Sequence, residues 1–188
     1  MLHTKKDIDL SRILPKKVID FVHSHGLYQL ADFAELQSFC RKKTNTADYR
    51  EHKKTYQADH SAEELWSLYK TIHPKYAWNG NMIQYGMYYS RTENKLVYID
   101  EEYTGAAVGQ IVFIQLKVLG GLVKLAVGHE ITAVNEEEKY LETCYLNKGK
   151  SLGSQRIYVK EGKNGGSEIT HHTIYKSGSK FRDKLIYP

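Results

Sequence analysis

Residues 109–134 read GQIVFIQLKVLGGLVKLAVGHEITAV, and the fold turns on how this stretch is read. Two runs rich in β-branched residues flank Gly120-Gly121, a dipeptide suited to the positive φ angles of a tight hairpin turn. In the first run Val112, Ile114, Leu116 and Val118 share one face, and Gln115 and Lys117 share the other with Ile111 and Phe113. In the second, Val123, Leu125, Val127, Ile131 and Ala133 alternate with Lys124, Ala126, Gly128, Glu130 and Thr132. His129 alone interrupts that apolar face. The pattern predicts the central hairpin of a curved antiparallel sheet with one covered face. A membrane-spanning helix needs about 20 predominantly apolar residues. Here Lys117, Lys124, His129 and Glu130 break the run, and its period is two.

A chain of 188 residues can bury one sizeable core as one domain. Its 41% hydrophobic and 26% charged residues are those of an ordinary globular protein. Fifteen tyrosines suit half-buried strands and pocket linings. A net charge of +5 permits an anionic partner without demanding one, because the lysines and arginines are scattered. Cys40 and Cys144 are far apart, in segments read as different element types, so no disulfide framework and no CxxC metal site is expected. The opening MLHTKKDIDL has no apolar core of a secretory signal, and a reducing, cytoplasmic location follows as the default.

Residues 1–45 read as an N-terminal helical extension to a domain over 46–188, with 1–10 loose. One helix is expected over 15–26, with Leu14, Val18, Phe21 and Val22 on its apolar face and Gly26 as cap. A second is expected over 30–42, with Leu30, Phe33, Leu36 and Cys40 as its stripe. Both must cover something, either an open end of the sheet or another subunit. After a linker at 44–52 comes a short strand at 53–59. Ser61 and Glu64 then form a capping box that opens a helix over 62–72, bearing Leu65, Trp66, Leu68 and Tyr69. His73-Pro74 ends it, and Asn79-Gly80 marks a turn. Strands follow over 82–91, 95–103, the central hairpin, 140–147, 154–161 and 167–176, implying an antiparallel meander.

This order resembles the START-like superfamily, also called helix-grip, Bet v 1-like or SRPBCC. The residues that carry the likeness are the strand and capped helix of QADHSAEELW, the run of strands, and the tail THHTIYKSGSKFRDKLIYP, which is similar to that of an uncharacterised bacterial branch. The resemblance spans residues 53–188. It implies an α+β fold, a curved antiparallel sheet of six or seven strands gripping helical elements. It also implies a cavity between sheet and helices that binds an apolar or amphipathic, lipid-like small molecule. One departure stands out: only 179–187 remain for the long C-terminal helix that closes the sheet in that superfamily.

If each strand turns its charged positions outward, His129 joins the inner face with Leu141, Thr143 and Tyr145, opposite Glu142. Ile169, His171, Thr173 and Tyr175 follow, opposite Glu168, and Ile83, Tyr85, Met87 and Tyr89 form a similar set. The expected ligand-binding residues are Tyr85, Met87, Tyr89, His129, Tyr145, His171 and Tyr175, an apolar surface with a few polar groups. The plain alternative for each histidine is a core residue satisfied by a tyrosine or a carbonyl. No catalytic residue is assigned. An enzyme on the same scaffold, a cyclase, hydratase or hydrolase, would use His129 or His171 as acid/base and would need an orienting carboxylate and open space before it. A third reading is an oligomerising domain with a filled core.

No cofactor or metal is expected. His171 and His172 point to opposite faces, and no HExxH pattern occurs. Cys144 faces away from the inner set with no activating base, and Asp100-Glu101-Glu102 and Glu136-Glu137-Glu138 read as solvated turns. Nucleic acid is disfavoured as a partner: the stripe Arg156, Tyr158, Lys160 is interrupted by Glu142 and Glu168 on outward faces nearby.

Overall fold

In a computed structural model, residues 8–40, 49–147 and 151–177 are described. In chain order the elements are α1 (Lys16–Ser24), α2 (Leu30–Ala34), β1 (Ser38–Phe39), β2 (Arg50–Ala58), α3 (Ala62–Thr71) and α4 (Pro74–Ala77). Then come β3 (Ile83–Ser90), β4 (Lys95–Tyr98), β5 (Gln110–Val118), β6 (Val123–Asn135), β7 (Tyr140–Leu146), β8 (Ser151–Glu161) and β9 (Ser167–Ser177). The strands make one antiparallel sheet of nine, ordered β2-β9-β8-β7-β6-β5-β3-β4, with β1 pairing β7. That is more than the six or seven expected, and it is not a simple meander. β3 pairs with both β4 and β5, so β4 takes the edge and residues 99–109 return to the far side of β3.

The central hairpin forms in the register its pattern dictates, from Val118 opposite Val123 to Ile111 opposite Glu130. Gly120 and Gly121, at φ of 66° and 91°, take the left-handed turn conformation that glycine adopts without a Cβ clash. The face bearing Val112, Ile114, Val127 and Ile131 is the inner one, since α3 and Trp78 pack on it.

The capping box that opens α3 is present: the Glu64 amide donates to Ser61 Oγ at 3.3 Å, and the Ser61 amide to Glu64 Oε2 at 3.0 Å. Leu65 and Trp66 bury against Ile131, Leu141 and Val159. Trp66 satisfies its one donor on Glu136 Oε2 at 2.7 Å, so a wholly buried indole carries no unmet hydrogen bond. Leu68, expected on the buried stripe, is exposed instead.

The N-terminal segment covers the opposite, outer face rather than an open end of the sheet. Val18, Phe21, Val22, Leu27, Phe33 and Leu36 pack on Met87, Tyr89, Ile111, Phe113 and Leu146. Ile8 joins this core, so the chain is already anchored there, while Leu14 is exposed. The segment also grips the β4 edge: Tyr98 Oη accepts from the Asp9 amide at 2.9 Å, and Arg12 reaches Asp100 at 2.6 Å.

α2 ends at Ala34, eight residues before the expected 42, and Cys40 is not helical. The reason is a competing edge. β8 pairs with β7 only as far as Cys144, which leaves Tyr145 and Leu146 open, and Phe39 and Ser38 pair there. The Asn147 amide then donates to Gln37 O at 2.8 Å. Ladder bonds to a buried strand outweigh a further two turns of helix with a marginal stripe.

Candidate functional site

The inner faces of β6 to β9 carry a row of polar and aromatic groups on an otherwise apolar floor. His129 lies opposite Tyr145 across β6 and β7, and Thr143 lies opposite Ile131, one diagonal step away. Thr143 also pairs with Gln155, and Gln155 with Thr173, to whose hydroxyl it donates at 3.1 Å. His171 completes the row at the β9 end, with Tyr69 of α3 at 3.4 Å from its Nε2 and the Tyr56 ring 5.7 Å away. Tyr175 sits buried in the same strand, opposite Gly153.

His129 is the most unusual member. Its ring meets the edge of Tyr145 at a centroid distance of 4.6 Å and that of Trp78 at 5.9 Å. Only 7% of the residue is exposed, and its Nε2 has no hydrogen-bond partner. Burial pushes its pKa down from 6.5 to about 4, so the imidazole is neutral at ordinary pH. Thr143 Oγ1, on the same floor, is likewise buried without a partner. Burial also lowers the His171 pKa and raises that of Tyr69. Neutral groups of this kind can each give or take one hydrogen bond with a small molecule's hydroxyl or carbonyl.

Among the described residues, neither inner histidine has a carboxylate within hydrogen-bond distance. His172 does, with Glu51 at 2.7 Å, but it lies on the opposite face.

Not every expected site residue shares this floor. Tyr85 is inward, packed with Tyr88, Val97, Val112 and Ile114, its hydroxyl donating to Val97 O at 3.2 Å. Burial raises its pKa. Met87 and Tyr89, expected on the inner face, are on the outer one, under α1 and α2. The cause is a β-bulge: Tyr85 pairs with Ile114 and Met87 with Phe113, so Gly86 is one residue too many and inverts the parity beyond it. Tyr88, not Tyr89, thereby joins the inner face. Val18 of α1 sits directly over Gly86, at 3.0 Å from where a Cβ would stand, so glycine also admits the helix. An isolated glycine inside a strand pattern is the sequence signal for this bulge. A second bulge at Thr132 turns Val134 inward in place of Ala133.

The two cysteines are joined. Cys40, carried to β7 by β1, forms a disulfide with Cys144 across a separation of 104 residues, which overturns the expectation of two unpaired thiols. Cys144 does face away from the inner row. Thr132 Oγ1 lies 3.4 Å from its sulfur and 3.1 Å from Glu142 Oε1, and Glu142 is also held by Arg156. Cys40, Glu142 and Cys144 bring ligand atoms within 4.8 Å of one another, a grouping that could hold a metal ion only with the sulfurs reduced.

Strand order and helix placement define the fold, and solved structures share it. The chain is similar to norcoclaurine synthase from Thalictrum flavum in complex with dopamine and hydroxybenzaldehyde, at 13% identity and a TM-score of 0.52, over 81% of this chain and 84% of that one. A truncated norcoclaurine synthase from the same plant aligns at 14% identity and a TM-score of 0.51, over 77% and 84%. The fold is Bet v 1-like. Major latex-like protein 151 from Panax ginseng aligns more loosely, with a TM-score of 0.49 and 14% identity over 72% of this chain and 84% of that one. No protein-family model and no curated protein matches the chain.

On this Bet v 1-like frame residues 179–187, all that remains for a C-terminal helix, lie outside the described residues. No helix among the described residues is long and apolar enough to cross a membrane. Two shallow hollows lie elsewhere. One of about 500 Å³ is lined by Ala62, Lys139, Tyr158 and Val159 among others, and one of about 410 Å³ by Leu36, Arg91 and Glu130 among others. Neither is lined by His129, Tyr145, His171 or Tyr175.

Proposed function

We propose that the inner face of β6–β9 binds a small apolar or amphipathic molecule, with His129, Thr143, Tyr145, His171 and Tyr175 as its floor and Tyr85 at its β3 end. The observation that carries this reading is the pair of buried polar atoms, His129 Nε2 and Thr143 Oγ1, left without partners one diagonal step apart. A buried unsatisfied polar group costs about 1–3 kcal/mol, so this adjacent pair is an expense that a ligand's own polar group would relieve. Trp78 and Tyr145 give that ligand aromatic walls, favouring a ring or a flat apolar body with one or two polar substituents. The norcoclaurine synthase of similar fold, which holds dopamine and hydroxybenzaldehyde, is consistent with that choice.

Binding is favoured over acid–base catalysis on this face because an imidazole whose basicity burial lowers, with no orienting carboxylate among the described residues, is a weak general base. The Cys40–Cys144 disulfide favours an oxidising compartment over the reducing, cytoplasmic one expected by default.

The test is displacement of anilinonaphthalene sulfonate, a fluorescent amphiphile, from wild type and from His129→Leu and Thr143→Val. Both variants should weaken binding about fivefold or more, the loss of one hydrogen bond each. Unchanged affinity in both would remove these residues from the site.

A further inference from the structure

The turn between β5 and β6 reads Leu-Gly-Gly-Leu over 119–122 and holds both leucines away from the fold. Leu122 is 88% exposed and Leu119 45%. Met82, 55% exposed, lies alongside, its carbonyl accepting from the Lys117 amide at 2.7 Å. Single exposed leucines are ordinary on a protein surface, but three apolar side chains at one tip form a patch. Leu119 also adopts a φ of 51°, a left-handed conformation that costs a residue with a Cβ, unlike Gly120 and Gly121 beside it. The backbone is strained where it presents an apolar side chain to water.

Within the hairpin the charge is of one sign. Lys117 and Lys124 stand directly opposite each other across the hairpin, a like-charge pairing that weakens a sheet. No Asp or Glu occurs from Gly109 to His129. Lys16 is exposed at the start of α1, and the next amide in that helix reaches Gln115, two residues from Lys117, at 3.4 Å.

We propose that this tip docks the protein on an anionic lipid bilayer. Leu119, Leu122 and Met82 enter the boundary between headgroups and acyl chains, and Lys117 and Lys124 meet lipid phosphates. The opposed lysines select this occupant. Their repulsion, unfavourable in the free protein, is relieved against a negative surface, whereas a second copy of the same tip would bring four lysines together. A nucleic acid would want aromatic side chains to stack on, and residues 114–134 contain no Phe, Tyr or Trp. The inference is independent of any ligand on the inner face.

Sedimentation of the full chain with vesicles tests it, using phosphatidylcholine alone and phosphatidylcholine mixed with phosphatidylserine. Wild type should pellet with the mixed vesicles and be released by high salt. Leu119→Ser with Leu122→Ser should lower the partition coefficient roughly tenfold or more, and Lys117→Glu with Lys124→Glu should abolish the preference for phosphatidylserine. Leu119, Leu122 and Lys124 are exposed and Lys117 is half-buried, and none belongs to an apolar cluster, so both double variants should melt close to wild type, which separates docking from folding. Wild type left in the supernatant with both vesicle types would overturn the proposal. So would equal pelleting of the leucine variant, or a wild-type dimer without vesicles that the leucine variant dissolves, since the patch would then belong to a second copy.

Discussion

Phe113 and Thr143 both sit mid-strand, two strands apart, yet their surroundings are opposites. Phe113 lies on the outer face and is 1% exposed, its ring 5.8 Å from both Phe21 and Phe33. It belongs to an apolar cluster that α1 and α2 complete. Thr143 lies on the inner face among His129, Tyr145 and Gln155, groups that could hydrogen-bond, and its own hydroxyl is left unpaired. The same period-two strands thus build a filled core on one side and an unfinished polar floor on the other. Sheet geometry alone does not demand the second; an apolar Val at 143 and a Leu at 129 would serve a core better. That difference is what the proposed binding role of the inner side rests on.

The largest expected effect breaks the outer side. Phe113→Ala should cost about 3–5 kcal/mol in chemical denaturation, because a close-packed aromatic is removed from a core that cannot collapse around it. A loss under about 1 kcal/mol would mean that α1 and α2 are not tightly seated. Reducing the Cys40–Cys144 bond should come next. Cross-linking across 104 residues restricts the unfolded chain, and its loss should cost about 2–5 kcal/mol, read as a lower denaturation midpoint in dithiothreitol.

Acid should then act through the inner side. The His129 imidazole titrates near 6.5 when free and at about 4 in the fold, so between those values the unfolded chain holds the extra proton. Its contribution is complete above about pH 6.5 and is lost as pH falls toward 4, by up to roughly 3 kcal/mol. His171, shifted the same way by burial, adds to that slope. His129→Leu should flatten the fall in stability over this window; an unchanged slope would show that the ring is hydrated or already partnered. The smallest effect has the opposite sign. Thr143→Val replaces an unpaired buried hydroxyl with a methyl and should stabilise the free protein by about 1 kcal/mol, while weakening ligand binding. A core residue would not show that opposition.

Much of this architecture was legible in the chain. The hairpin at 109–134 shows its turn, register and faces in its alternation, and the Ser61–Glu64 box marks the start of α3. Both are local patterns with one physical solution. The parity of Met87 and Tyr89 was misread because alternation survives a bulge only up to the extra residue, and Gly86 was the available warning. Tyr88, Trp78 and Gln155 were missed as parts of the inner face for related reasons: one lies past that bulge, one in a turn, and one on a strand whose inward face was left unread. The disulfide was not legible at all. Cys40 reads as the end of an amphipathic stripe, and only the open end of β7, a feature of the assembled sheet, draws that segment out of helix. The unpaired state of His129 Nε2 and Thr143 Oγ1 is likewise a tertiary fact, since alternation places side chains on a face without saying what they will meet.

The central claim, that a small molecule is received by the inner face and not by the outer one, is most directly tested by nuclear magnetic resonance. Anilinonaphthalene sulfonate would be titrated into protein labelled at histidine rings, threonine methyls and methionine methyls. The account predicts saturable shifts at His129 and Thr143, with the Met87 methyl, sealed under α1 and α2, unmoved. Shifts at Met87 with His129 and Thr143 silent would contradict it.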